Sequence, residues 1–98
     1  MLKQVIKFSA EWCQPCKVFA KTFHAVEEME EYKDIEFKEV DIEDDETDET
    51  LVEKFQVRSV PTTVLLDENE NPIFKVIGNV PKRDFVKIIN DAINKKEE

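Results

Sequence analysis

Apolar positions recur along the chain at two spacings, and each change of spacing marks a change of element. Leu2 to Phe8 is a short apolar run with β-branched residues, which predicts a buried strand, and Ser9-Ala10-Glu11 then leads out of it as a loop. From Pro15 onward Phe19, Thr22, Phe23, Val26 and Met29 fall at i, i+3, i+4, i+7 and i+10, the spacing of a helix with one apolar face. Ile35 to Ile42 has strand character, with Phe37 and Glu39 on one face and Val40 and Ile42 spread across both. Thr47 to Phe55 reads as a short helix with Leu51, Val52 and Phe55 inward, since Thr and Asp at its start can accept bonds from its first amides. Thr62 to Leu66 and Ile73 to Ile77 are strand-like and flank the turn-like Asp67 to Pro72, which predicts an antiparallel hairpin. Phe85, Ile88, Ile89, Ala92 and Ile93 mark a last amphipathic helix, begun near Pro81 and closed by Lys95 and Lys96.

The order is therefore β-α-β-α-β-β-α. Strands joined through a helix pair parallel by a right-handed crossover, whereas a hairpin pairs antiparallel. An α/β fold with a central four-stranded mixed sheet flanked by helices follows. A length of 98 residues, 41% of them hydrophobic, allows one core, and no repeat or linker divides it. Residues 1–98 are expected to form one domain.

Charge narrows the partners. Fourteen basic against 23 acidic residues give a net charge of −9, which repels nucleic acid and anionic membrane surfaces and suits basic or neutral proteins. Charges interrupt the apolar run at Met1 to Phe8 before it could form a signal-peptide core, and no apolar run elsewhere approaches the roughly 20 residues of a membrane helix. A soluble, cytoplasmic monomer is expected. Glu43, Asp44, Asp45, Glu46, Asp48 and Glu49 concentrate negative charge ahead of the second helix, as a solvated loop or a partner-selecting patch.

The candidate chemistry lies in Trp12-Cys13-Gln14-Pro15-Cys16-Lys17, between the first strand and the first helix. Only a thiolate attacks a disulfide efficiently, and free amides at a helix start favour one. Cys13 stands there, Lys17 adds a cation one turn along, and Pro15 suits a first turn that needs no amide from it. Cys16, three residues on, brings its sulfur beside Cys13 to resolve a mixed disulfide. A structural zinc site would need four ligands, but there is no second cysteine pair, and His24, the single histidine, lies off the helix's apolar face. No metal is expected.

The segment resembles the Trp-Cys-Gly-Pro-Cys-Lys hallmark of the thioredoxin family, with Gln14 in place of glycine. Ala10-Glu11 ahead of it, Val57-Arg58-Ser59-Val60-Pro61-Thr62 and Ile77-Gly78-Asn79 are similar to further family segments, in the family's order. The resemblance spans nearly the whole chain but lacks the family's leading strand and helix. It implies the thioredoxin fold and a thiol-disulfide oxidoreductase, most simply a protein-disulfide reductant. Its substrates would be disulfide-containing proteins, its electron donor of the thioredoxin-reductase type, and its only redox group the Cys13-Cys16 disulfide, without a cofactor. Trp12 would flank the disulfide, Pro61 would be cis, Val60 would offer backbone hydrogen bonds to substrate, and Gly78 would lie beside the substrate groove. Pro61 also has its own physical reading, because cis bonds are nearly confined to X-Pro. Gly78 reads either as a strand-end turn residue or, being the sole glycine, as a position where no side chain fits.

Two departures concern tuning. Lys7 stands where the family usually has an aspartate buried behind the cysteines, and Glu39 falls where that aspartate's lysine partner is usual. The pair is thus expected with its signs exchanged, meeting behind Cys16, with Glu39 in the acid-base role and Lys7 holding the thiolate. The alternative is that both are simple edge charges. Gln14 lies between the cysteines, where residues tune the reduction potential. Two other functions compete: a glutaredoxin-like enzyme using glutathione, and a thioredoxin-shaped binding module with incidental cysteines.

Overall fold

A computed structural model describes residues 1–44 and 49–94. The short apolar run at Leu2–Ser9 forms β1, and α1 follows at Gln14–Glu27. A 3-10 turn at Glu30–Tyr32 leads to β2, Glu36–Asp41, and then α2 spans Glu49–Lys54. The hairpin comprises β3, Thr62–Asp67, and β4, Pro72–Ile77, before α3 at Lys82–Asn94. The expected helix start at Thr47, the middle of the acidic run and the closing Lys95 and Lys96 lie outside the described residues.

The four strands lie in the order β2-β1-β3-β4, with β1 parallel to β2 and antiparallel to β3, and β3 antiparallel to β4. This is the thioredoxin-type mixed sheet anticipated above. Its consequence is positional: the carboxyl ends of β2, β1 and β4 and the amino end of β3 meet at one end of the sheet.

Alternation along β1 sends residues to two cores. Val5 joins Leu65 and Val76 under Phe19, Phe23 and Val26 of α1 and Phe85, Ile89 and Ala92 of α3. Ile6 and Phe8 join Val64, Leu66 and Phe55 on the α2 side, where the Phe8 and Phe55 rings lie 6.4 Å apart. In β2 the expectation needs correction: Val40 and Ile42 both pack toward the α2-side core, because residues two apart on a strand share a face. The 3-10 turn, which no periodicity announces, buries Tyr32, whose hydroxyl donates to Asn90 Oδ1 at 2.7 Å. The hairpin turn is held by the Asp67 carboxylate, which accepts from the amides of Asn69 at 2.8 Å and Asn71 at 2.9 Å. Chiefly the Asn71 amide holds the Asp67 carboxyl below its ordinary range.

Candidate active site

The chain leaves β1 in a tight turn, in which the Cys13 amide donates to the Ala10 carbonyl at 3.1 Å. Cys13 itself is the N-cap of α1, in extended backbone geometry, and its Sγ accepts from the Cys16 amide at 3.2 Å. Pro15 occupies the first turn, where its missing amide costs no hydrogen bond. Cys13 and Cys16 form a disulfide with Cα atoms 5.2 Å apart, inside the usual span for such a bond. Both are buried, while Trp12 beside them is 65% exposed. Gln14, Pro15 and Lys17 are exposed around the pair.

Val60-Pro61 closes the other side. Their peptide bond is cis, Val60 packs against the cysteine cluster, and the Val60 carbonyl oxygen lies 3.6 Å from Cys13 Sγ. The Gly78 amide donates to the Pro61 carbonyl at 2.8 Å, which ties the end of β4 to this loop. Gly78 has φ +91°, yet a Cβ there would meet nothing within 4 Å. The glycine therefore serves a left-handed backbone rather than a crowded contact, a correction to the reading from sequence.

The register places Lys7 opposite Glu39 on β2 and Thr63 on β3. Lys7 is only 2% exposed, with its Nζ 2.8 Å from Glu39 Oε1 and 5.1 Å from the centre of the Phe23 ring. Lys7 and Glu39 therefore meet, and they do so against Phe23, seven residues beyond Cys16. Seven helical residues amount to about 10 Å along the axis. Glu39 Oε2 lies 3.4 Å from His24 Nε2, and His24 Nδ1 lies 3.2 Å from Glu27. The buried Thr63 hydroxyl has no partner among the described residues.

The thioredoxin family model matches residues 2–91. The chain belongs to the thioredoxin family. A thioredoxin of Mycoplasmoides gallisepticum is 31% identical over 87 residues, covering 89% of this chain and 81% of that protein. One from Staphylococcus saprophyticus is 33% identical over 85 residues, covering 87% and 77%. Among solved structures, Malassezia sympodialis thioredoxin (Mala s 13) superposes with a TM-score of 0.76 at 26% identity, covering 91% of this chain and 74% of that one. The thioredoxin NaTrxh of Nicotiana alata gives 0.75 at 27%, covering 91% and 71%. The protein is a thioredoxin-like thiol-disulfide oxidoreductase with Cys13 and Cys16 as its CxxC redox pair.

Within this thioredoxin fold, Trp12 directly precedes the disulfide, Val60 packs against it and Gly78 is tied to Pro61, while Lys7 and Glu39 pair with each other beside Phe23 of α1. Two residues near these sites escaped the reading from sequence. Ile42 packs against the cysteine cluster, and its amide donates to the Ser9 carbonyl at 2.9 Å. A parallel β2 beside β1 implies this, because their carboxyl ends must lie together. His24, off the apolar face of α1 as expected, has a half-exposed ring that sits between two carboxylates. The Glu27 contact was visible as an i, i+3 pair. Among the described residues no group of three or more His, Cys, Asp or Glu side chains is placed to hold a metal ion. No described helix is long and apolar enough to cross a membrane.

Proposed function

We propose that this protein reduces protein disulfides, with Cys13 as the attacking thiolate and Cys16 as the resolving one. The observation that carries this assignment is the Cys16 amide donated to Cys13 Sγ at the N-cap of α1. It supplies a hydrogen bond and the positive end of a helix dipole to one sulfur of the pair. In the dithiol state Cys13 loses its proton and attacks one sulfur of the substrate. An S–S bond to Cys13 forms, the substrate disulfide breaks, and the departing substrate sulfur takes up a proton. Cys16, deprotonated in turn, attacks Cys13 Sγ, forming the Cys13–Cys16 bond and releasing the second substrate sulfur as a thiol. Two electrons pass from the protein dithiol to the substrate, and the protein is left oxidised.

A reductase of the thioredoxin-reductase type would return the two electrons, with no cofactor on this chain. Trp12, Val60, Pro61 and Gly78 form the substrate border in this reading, and residues 1–98 act as one cytoplasmic monomeric unit. Lys7, Gln14, Pro15, Lys17 and Glu39 tune the pair, with Glu39 exchanging protons and Lys7 supplying positive charge.

Insulin reduction tests the reading, run once with thioredoxin reductase and once with glutathione and glutathione reductase. Turnover is expected in the first arm. Cys13→Ser should abolish it, and Cys16→Ser should accumulate a covalent mixed disulfide with substrate. Turnover confined to the glutathione arm would establish the glutaredoxin-like alternative, and turnover in neither would establish the binding module.

A further inference from the structure

The sheet end that carries Cys13 is electrically lopsided. On its β2 side stand Asp41, Glu43 and Asp44, all exposed, with the Glu43 amide bound to Asp41 Oδ1 at 2.9 Å. Ile42 among them packs directly against the cysteine cluster, so this acidic segment borders the disulfide. On the β4 side Gly78 is tied to Pro61, and four residues later α3 opens with the exposed Lys82 and Arg83. The packing keeps these two at the same end: the Phe85 ring lies 5.1 Å from that of Phe19, one turn beyond Cys16, and Lys82 is one turn before Phe85.

Cations in a first helical turn oppose the helix dipole, so Lys82 and Arg83 stand where helix stability disfavours them. Asp84 offsets Arg83 in part, at 3.9 Å. Glu11, Lys17 and Arg58 are exposed nearer the middle of this end. Between the two flanks these charges of both signs surround two exposed apolar side chains, Trp12 at 65% and Ile77 at 67%.

We propose that the surface around Cys13 selects among protein disulfides by charge order, taking an extended segment with basic residues on one side of its cysteine and acidic residues on the other. The basic arm meets the β2 flank and the acidic arm meets Lys82 and Arg83. The proposal rests on the disulfide-reductase reading of the same site. Opposed charges across a contact set register and orientation and suppress the reversed arrangement.

The test uses the full chain and three disulfide peptides identical except at their arms: Lys-Lys before the cysteine and Glu-Glu after it, the reverse order, and serine in all four places. At low ionic strength one charged order should be reduced with a kcat/KM about tenfold above the other, within the range that focused surface charge contributes to rates. The ratio should approach one in about 0.5 M salt, where screening acts over a few ångströms. It should also collapse or invert in the Lys82→Glu, Arg83→Glu double variant, whose replaced side chains are exposed and leave the cores intact. Equal rates for the two orders, or an unchanged ratio in the double variant, would overturn the proposal. Failure to reduce the serine peptide would instead overturn the reductase reading, so the two failures are separable.

Discussion

Thr62 and Thr63 are neighbours on β3, both buried, and point to opposite faces of the sheet. Thr62, on the α2 side, donates its hydroxyl to the Ser59 carbonyl at 2.7 Å, and the core beside it is formed by Ile6, Phe8, Phe55, Val64 and Leu66. Thr63, on the α1 and α3 side, has a hydroxyl with no partner among the described residues, and next to it in register lies the buried Lys7. One face satisfies its buried polar group locally. The other carries a row of Glu39, Lys7 and Thr63 across an otherwise apolar core. Hydrophobic packing alone does not ask for that row, since a buried ion pair is no more stabilising than apolar residues of similar volume. The contrast separates what holds the sheet together from the polar row that the proposed proton exchange would use.

The sharpest way to break this comparison is to remove one member of the ion pair at a time. Glu39→Ala leaves the Lys7 ammonium buried without its carboxylate. A loss of about 2 kcal/mol in urea unfolding is expected, below the roughly 3–5 of a fully buried pair because Glu39 is 44% exposed. Lys7→Met, of similar length and apolar, should hold or raise stability. A loss of stability in Lys7→Met equal to that in Glu39→Ala would mean the pair is itself a structural support. In the same series Glu39→Gln should shift the titration of Cys16, and an unchanged pH profile would remove Glu39 from proton exchange. Thr63→Val should stabilise by about 1 kcal/mol, since it replaces an unsatisfied buried hydroxyl with a methyl of the same shape.

The smallest effect belongs to Tyr32 on the same aromatic side. Burial, with Glu31 nearby, raises its phenol above the ordinary value of 10.0, against a lowering from the Asn90 hydrogen bond. The unfolded chain then ionises first. This contribution to stability is complete below pH 10.0 and is lost as pH rises from there through the folded value. Tyr32→Phe should flatten that alkaline decline in chemical denaturation while costing about 1 kcal/mol at neutral pH for the lost hydrogen bond.

Much of this was legible in the chain itself. The helical spacing of Phe19, Phe23 and Val26 and the apolar run of β1 are enforced by burial, so pattern and structure coincide there. Edge strand β2 buries so little that the pattern left its faces ambiguous; only Phe37 and Val40 are half-buried. The meeting of Lys7 and Glu39 was expected from the family's usual positions, and the parallel register of β1 and β2 brings it about. The second contact of His24 was not legible, since it depends on a side chain from another strand. Gly78 was singled out for the wrong reason: composition marks a special glycine but does not tell a left-handed backbone from a crowded one.

The cap of α1 has a consequence for electron affinity. The atom that accepts the first-turn amide is the atom that is oxidised and reduced, so the quality of a helix end and the energy of a covalent bond are linked at one sulfur. Whatever steadies the thiolate steadies the dithiol and makes the pair a stronger oxidant; whatever turns the Cys16 amide aside makes it a stronger donor. Substitutions at Gln14 or Pro15 can therefore set the direction of electron flow by changing how one turn of backbone is aimed.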